Sequence, residues 1–221
     1  MKKFICASLI FLAVLSAIHG QNSKKVSLGG RFGMQIGIHK THDDLTNWMK
    51  INNLEEEVRP NPALALMGSY NFTSHFGIQP ELLFNFIQGP KAKHKTTETS
   101  YVDITYTSLD IPILLKVNFL PNEHRFGILA GPHVTFPLGK VKFDYNNFTN
   151  ASEEKFDMNA GNFGFTAGLY GGYSFDVGRI IMDVRYLNDF TTSKAKIGNN
   201  VESGLMQRRG IIISLGIEFD I

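Results

Sequence analysis

The chain has 221 residues, of which 22 are lysine or arginine and 20 are aspartate or glutamate, so its formal net charge is only +2. A charge this close to neutral gives no support for nucleic acid as a partner, because binding to nucleic acid relies on an excess of basic residues. The one cysteine, Cys6, lies in a segment that we expect to be removed, which excludes a disulfide framework, a cysteine metal site and a cysteine nucleophile in the mature chain.

The first residues, Met1–Gly20, have the pattern of a secretory signal peptide. Two lysines precede an apolar core at Phe4–Ile18, and small residues follow at Ala17–Gly20. The apolar core is too short for a membrane-spanning helix, and no apolar run of spanning length follows it. We therefore predict a cleaved signal peptide at residues 1–20 and one exported domain at residues 21–221.

Residues Leu109–Phe119 alternate strictly between an apolar face and a face that carries polar side chains. A period of two predicts a β-strand, and a tilted strand of this length is about long enough to cross a bilayer. The same alternation recurs along the chain. It predicts eight strands, at Val26–Ile38, Pro62–Phe72, Phe76–Phe86, Leu109–Phe119, Arg125–Phe136, Asn162–Phe175, Arg179–Phe190 and Gly210–Ile221.

The connections between these strands are long and short in turn. Four are long and polar: His39–Asn61, Ile87–Ser108, Pro137–Gly161 and Thr191–Arg209. Three are tight turns: Thr73–His75, Leu120–His124 and Asp176–Gly178. This series predicts an all-β fold, an eight-stranded antiparallel up-and-down transmembrane β-barrel with long external loops and short periplasmic turns.

Aromatic residues gather at the two ends of the apolar face. The turn end carries Tyr70, Phe72, Phe76, Phe119, Phe126, Tyr173, Phe175 and Phe219, and the loop end carries Phe86, Phe136, Phe163 and Phe190. Two aromatic belts about one bilayer apart are typical of a barrel in a membrane. The pattern therefore predicts that the apolar face points outward, towards lipid. A soluble, lipocalin-like carrier would instead turn this face inward, and it is the weaker hypothesis.

The opposite face carries few charges, and they are mixed in sign: Arg31, Glu81, Asp110, Lys116, Asp183, Arg185 and Glu218. The interior of an eight-stranded barrel is just wide enough for side chains to fill, and buried charges there must pair. We predict that these residues form a structural network that plugs the lumen, with a proton or ion path as the alternative. Prolines at Pro80, Pro112 and Pro132 predict local bulges in their strands.

Four segments resemble motifs of the PorT-like outer-membrane β-barrel family. They are GIQPELLF at Gly77–Phe84, LDIPILLK at Leu109–Lys116, FGILAGPHV at Phe126–Val134 and IMDVRYL at Ile181–Leu187. The resemblance covers nearly the whole mature chain in the right order and implies a small eight-stranded barrel of the OmpA and OmpX type in the outer membrane. The namesake of the family is similar to a component of a protein secretion apparatus, whereas most relatives are known only as barrels.

Only one group of residues looks like metal ligands: His39, His42, Asp43 and Asp44, at the start of the first long connection. A polar loop lacks the fixed frame that a metal site needs, so we expect no metal and no cofactor. A catalytic set assembled from His39, Asp43 and either Ser100 or Ser108 would make the barrel an enzyme that acts on lipid or peptide. No motif for an activated nucleophile accompanies these residues, and we expect no enzyme.

The segment Leu45–Val58 is the candidate partner loop, with Trp48, Met49, Glu55, Glu56 and Glu57. It could form a short amphipathic helix that docks a partner or lies at the membrane surface, or it could pack over the barrel mouth. Lysines at Lys91, Lys93 and Lys95 could meet the phosphates of lipopolysaccharide, or simply face solvent.

Together these patterns predict a non-enzymatic integral outer-membrane barrel that anchors surface loops. The expected partners are outer-membrane lipid and lipopolysaccharide, with an envelope or secretion protein as a further candidate.

Overall fold

The computed structural model describes residues 26–41, 47, 50–51, 53–89, 91–95, 101–121, 124–146, 153–158, 161–197 and 200–221. Several sequence predictions lie outside these residues: the signal peptide, His42, Asp43, Asp44, Trp48, Met49 and Ser100. Among the described residues, no helix is long and apolar enough to cross a membrane.

The described residues form twelve strands. They are β1 (Val26–Thr41), β2 (Leu54–Glu57), β3 (Pro60–Asn71), β4 (Phe76–Gln88), β5 (Lys91–His94), β6 (Tyr101–Pro121), β7 (His124–Asn146), β8 (Glu153–Met158), β9 (Asn162–Phe175), β10 (Gly178–Asp189), β11 (Ser193–Ile197) and β12 (Asn200–Asp220).

Eight of these strands close into a barrel, in the order β1, β3, β4, β6, β7, β9, β10 and β12. Every neighbouring pair is antiparallel, and the last strand returns to the first, with Ser27 opposite Asp220. The predicted fold class, a closed eight-stranded antiparallel barrel, is therefore confirmed. Each predicted strand has a counterpart close to its predicted position.

The barrel continues at the loop side as a second tier of paired strands. β6, β7 and β12 run for 21, 23 and 21 residues, well beyond the predicted ends. Their additional residues pair with short strands: β6 with β5, β7 with β8, and β12 with β11. The short strands also pair with one another, β2 with β5 and β8 with β11. We call this tier the loop-side extension; it comprises the four short strands and residues 101–107, 138–146 and 200–207.

The amphipathic helix, one alternative for Leu45–Val58, is present at the described residues Asn47, Lys50 and Ile51. It does not extend through the second half of the segment, because Leu54–Glu57 form strand β2. Leu54 is buried, and its backbone is aligned with His94 of β5. The neighbouring strand β5 offers hydrogen-bonding groups along its edge, and this ladder competes successfully with the local helical pattern.

The loop-side extension has an apolar interior. The inward-facing side chains are at most 6% exposed: Leu54, Ala92, Val102, Ile104, Tyr106 and Val141. The outward-facing positions carry charges instead, including Glu57 and Lys93. A small apolar core therefore lies above the polar lumen of the barrel.

The outer face of the barrel is apolar and exposed, as the alternation predicts. The turn-end aromatic residues are 37–52% exposed, and those of the loop end are 45–57% exposed. Some pack against one another: the rings of Phe119 and Phe126 lie 6.0 Å apart, and those of Phe163 and Phe190 also lie 6.0 Å apart. The glycine-rich polar face consequently lines the lumen.

The prediction of bulges at Pro80, Pro112 and Pro132 is wrong. Pro80 lies opposite Ile113, Pro112 opposite His133, and Pro132 opposite Phe165, all without a shift of register. Each strand tolerates the missing N–H as a short interruption of the ladder that resumes in the same register. The register shifts of β6 with its neighbours instead occur between Asn85 and Gln88, between Thr105 and Thr107, and between Asn118 and Leu120.

Candidate functional site in the barrel lumen

The lumen holds charged side chains from most of the barrel strands, and they form three groups at successive heights. We call them the turn-side cluster (Lys116, Arg179, Glu218 and Asp220), the central ring (Arg31, Glu81, Asp183 and Arg185) and the loop-side cluster (Asp110, His133, Asp189 and Arg208).

The central ring is a closed set of four alternating charges. Arg31 pairs with both Glu81 and Asp183. Arg185 also pairs with both, with its Nη1 2.8 Å from Glu81 Oε2 and its Nε 2.9 Å from Asp183 Oδ1. All four residues are at most 5% exposed. Two guanidinium groups therefore neutralise two carboxylates where water is excluded, which offsets the cost of burying each charge.

Two glycines leave room for the arginines of the central ring. A Cβ at Gly216 of β12 would lie 2.1 Å from Arg31 Cγ, and one at Gly168 of β9 would lie 2.8 Å from Arg185 Cγ. Both arginine side chains therefore lie flat across a neighbouring strand before they reach the acids. Any larger residue at these positions would displace an arginine from the ring.

The turn-side cluster is centred on Glu218. Lys116 Nζ lies 3.3 Å from Glu218 Oε1, and Arg179 Nη1 lies 3.0 Å from Glu218 Oε2. Arg179 also pairs with Asp220. The Lys116 ammonium lies 5.0 Å from the centre of the Tyr170 ring, a cation–π contact that further stabilises its charge.

The loop-side cluster contains two acids and one arginine. Arg208 Nη1 lies 2.8 Å from Asp110 Oδ2, and its Nη2 lies 3.4 Å from Asp189 Oδ1. His133 Nε2 is 2.7 Å from Asp189 Oδ1, and Asn162 Nδ2 donates to Asp189 Oδ2 at 2.9 Å. Asp189 is thus held by an arginine, an imidazole and an amide.

All seven residues of the predicted lumen set lie in these groups, buried at 5% exposure or less: Arg31, Glu81, Asp110, Lys116, Asp183, Arg185 and Glu218. Sequence reasoning missed five residues that contact them or complete their clusters: His133, Arg179, Asp189, Arg208 and Asp220. Their position in the alternation could have revealed them, because each has the inward parity of its strand.

Of the partner-loop residues, the two whose side chains are described, Glu55 and Glu57, lie outside the lumen. Glu55 is exposed on β2, and Glu57 points outward from the same strand. Nothing is described for Trp48 or Met49, nor for the side chain of Glu56.

Glu57 is paired with the lysines of β5. Lys93 Nζ donates to Glu57 Oε1 at 2.8 Å, and Lys91 Nζ lies 3.9 Å from Oε2. The hydrogen bond from Lys93 lowers the pKa of the Glu57 carboxyl, and the positive charges nearby act in the same direction. Lys95, the third lysine of this segment, is exposed.

The structure removes Ser108 from the hypothetical catalytic set. Ser108 is fully buried in the lumen, where its hydroxyl accepts a hydrogen bond from Asn85 Nδ2 at 3.3 Å. It faces inward because it shares the parity of Asp110 on β6. Among the described residues, no group of three or more histidine, cysteine, aspartate or glutamate side chains is arranged to hold a metal ion.

Comparison with known proteins agrees with this geometry. The family described as outer membrane protein beta-barrel domain matches residues 19–193. The structure is similar to that of the outer membrane protein OprG from Pseudomonas aeruginosa, with a TM-score of 0.50 and 13% identity over 89% of this chain and 94% of OprG. It is also similar to Neisserial surface protein A, with a TM-score of 0.50 and 8% identity over 90% of this chain and 98% of that protein.

Identities this low show a shared fold alone, and no curated protein sequence matches the chain significantly. The family match nevertheless covers more than half of the chain, and it places the protein in the outer membrane. The chain therefore belongs to the family of outer membrane protein beta-barrel domains.

Proposed function

We propose that this protein is a non-enzymatic outer-membrane barrel whose loop-side extension presents a contact surface to an envelope protein or to lipopolysaccharide. In this proposal the loop side faces the cell exterior and the short turns face the periplasm. The observation that supports it most is the loop-side extension itself, a paired sheet that continues the barrel beyond its outer aromatic belt.

The outer surface of the extension is charged and held in place. Arg59 Nη1 lies 2.9 Å from both carboxylate oxygens of Asp103, and the Lys91 ammonium lies 4.8 Å from the centre of the Tyr101 ring. Together with the pair between Glu57 and Lys93, these contacts fix side chains of both signs on one face. Fixed charges of this kind favour a specific contact, because little side-chain freedom is lost on binding.

A role without catalysis is supported by the position of Ser108. Nucleophilic catalysis needs a hydroxyl that a substrate can reach and a base within hydrogen-bond distance. Ser108 is fully buried and bonded to Asn85, so it cannot serve a substrate at the loop side.

We also propose that the chain is a PorT-like barrel and an accessory of a secretion or envelope complex. The four motifs at Gly77–Phe84, Leu109–Lys116, Phe126–Val134 and Ile181–Leu187 support this assignment. The first and last of them contribute three members of the central ring: Glu81, Asp183 and Arg185.

The export signal is part of the same proposal. We expect the mature protein to begin at Gln21, after removal of residues 1–20. Mass spectrometry of the N-terminal peptide from purified outer membranes tests this expectation. A peptide that begins at Met1 would contradict it.

Cross-linking in intact outer membranes, followed by mass spectrometry of the captured species, tests the proposed contact surface. Glu55→Lys reverses a charge on the exposed face of β2, and Ser74→Lys adds the same charge to an exposed turn at the opposite end of the barrel. We expect a reproducible protein or lipopolysaccharide adduct that Glu55→Lys weakens and Ser74→Lys does not. An adduct that only Ser74→Lys weakens, or none at all, would overturn the proposal.

A further inference from the structure

We propose that the lumen binds a monovalent cation beside the loop-side cluster, through the side-chain oxygens of Asn61, Asn85 and Asp110. The site is separate from the outward-facing surface of the extension, and the inference does not depend on the proposed function of that surface.

The three residues offer buried oxygens that no described group satisfies. Asn61 is fully buried, and neither its Oδ1 nor its Nδ2 has a hydrogen-bond partner in the described part of the chain. Asn85 is also fully buried, with Oδ1 unpartnered, and Asp110 is 2% exposed, with Oδ1 unpartnered. Buried polar atoms in native proteins are almost always satisfied, so three such oxygens in one region indicate a bound species.

The strand register brings these residues together. Asn85 of β4 lies opposite Ala63 of β3, so Asn61 is its diagonal neighbour on the same inward face. Asn85 Nδ2 donates to Asp110 Oδ2 at 3.0 Å, which leaves the free oxygens of these two residues in the same part of the lumen. Three adjacent barrel strands thus contribute one oxygen each.

The local charge balance favours a cation over water. Among the described side chains, the loop-side cluster contains the carboxylates of Asp110 and Asp189, the imidazole of His133 and only one guanidinium, that of Arg208. An uncompensated negative charge in an interior that excludes water is costly, and a bound positive charge removes that cost. The position of the oxygens beside Asp110 puts the cation next to the acid that has fewer charged partners.

The donor set also indicates the class of ion. Carboxylate and amide oxygens suit hard cations, and softer metals prefer nitrogen or sulfur. A divalent ion such as calcium or magnesium would bring one positive charge more than the cluster needs. A single positive charge balances the cluster, so sodium or potassium is the ion expected.

The test compares thermal unfolding of the full barrel in detergent micelles in sodium chloride and in choline chloride at equal ionic strength. Because a ligand that binds only the folded state raises its stability, we expect the wild-type midpoint to be roughly 2–4 °C higher in sodium. Equal midpoints in the two salts would overturn the proposal.

The variant Asn61→Leu distinguishes two roles of Asn61, a ligand of the ion or a buried amide that is merely unsatisfied. If Asn61 binds the ion, the variant loses the sodium-dependent shift and has a lower midpoint than wild type in sodium. If Asn61 is merely unsatisfied, the apolar residue raises the midpoint in both salts, which would refute the site. Ser214→Ala, in the lumen beside Asp183, is the matched control and should keep the full shift.

Two further experiments test the imidazole and the position of the ion. The glutamine of His133→Gln cannot carry a proton, so this variant should retain the wild-type sodium-dependent shift. A shift that appears or becomes much larger only in His133→Gln would assign the balancing charge in wild type to the imidazole instead. Crystals grown with thallium(I) in place of sodium should show an anomalous peak between the oxygens of Asn61, Asn85 and Asp110. Density for water alone at that position would contradict the proposal independently of any variant.

Discussion

The four charges of the central ring illustrate how single residues stabilise this barrel. Each arginine contacts both acids, so no charge depends on one partner alone. Burial makes each charge costly by itself, and mutual pairing offsets the cost only while the set is complete. The residues act as a unit whose members cannot be exchanged independently.

Replacement of one acid in the central ring should therefore lower the stability of the barrel more than replacement of one acid and one arginine together. We expect Glu81→Leu to lower the free energy of unfolding by about 3–5 kcal/mol, because two buried arginines are then left to share the single carboxylate of Asp183. The double variant Glu81→Leu, Arg185→Leu keeps Arg31 with Asp183 and should be less destabilised than Glu81→Leu. Urea unfolding of the refolded barrel measures both effects.

The control for this cycle is Glu55→Ala on the exposed face of β2, which should shift the urea midpoint little. Additive losses in the double variant, or an unchanged midpoint for Glu81→Leu, would show that the ring does not support the barrel.

Side-chain direction in the lumen is predictable from sequence, whereas the pairing partners are not. The period of two assigns Glu81 and Arg185 to the inward face without any structure. Their contact joins residues 104 positions apart and depends on the register of all the strands between them. Asn61 has no charge and no motif, and only the structure shows that its amide is buried without a partner.

At the scale of elements, β6 joins the two tiers of the molecule. Its inward positions change from apolar side chains, Val102, Ile104 and Tyr106, to the polar Ser108 and Asp110 within a single strand. Register shifts on both sides, near Tyr106 and Thr107, mark the point where the strand leaves the barrel. One strand therefore contributes to an apolar core and to a polar lumen.

Ile104 should support the extension without supporting the barrel. We expect Ile104→Ala to increase the hydrogen-exchange rates of β5 and β2, since it leaves a cavity in their shared core. The amides of the barrel strands β9 and β10 should stay protected. Ile111→Ala, on the lipid-facing side of the same strand, is the control and should leave β5 unchanged; equal exchange in both variants would contradict the assignment.

The pairing of β2 with β5 should depend on pH through Glu57. Its pKa is lowered below the ordinary value of 4.5, mainly by the hydrogen bond from Lys93. The pair therefore stabilises the extension above pH 4.5, and this contribution is lost as the pH falls through the lowered pKa.

Carboxyl-carbon NMR of the barrel in micelles measures this titration. We expect Lys93→Met to return the Glu57 pKa towards 4.5, because the donor and its charge are removed together. Lys95→Met, on an exposed residue outside the pair, should leave the titration of Glu57 unchanged. A Glu57 midpoint that is the same in wild type and in Lys93→Met would refute the role of the hydrogen bond.

The eight barrel strands were predictable because each is long enough for its alternation to be recognised. The short strands were not, because four to six residues are too few to separate a strand from a loop. Val102, Ile104 and Tyr106 did carry a signal, since they continue the inward parity of Asp110 into the predicted loop. β2 contradicts its local helical pattern because tertiary pairing with β5 decides its conformation.

The whole molecule combines three layers that close the lumen: the turn-side cluster, the central ring and the loop-side cluster. The apolar core of the extension lies above them. An eight-stranded barrel has an interior just wide enough for side chains to fill, so we expect no continuous aqueous path through it.

Electrical recording in planar bilayers tests this expectation. The wild-type barrel should produce no stable single-channel current, whereas a large porin inserted in the same way provides the positive control. The Glu81→Leu variant should also give no current, because the turn-side cluster and the loop-side cluster are still present. Steady conductance from the wild-type barrel would instead support an ion path through the lumen.

The position of β12 in the chain has a consequence for how the barrel is assembled. β12 is the last strand, and it supplies Glu218 to Lys116 and Arg208 to Asp110. Until it docks, both residues face a wet, open cleft without their partners. The pairing of β12 with β1 therefore closes the barrel and neutralises these buried charges in the same step. We expect a barrel without β12 to stay open and hydrated and to unfold again readily.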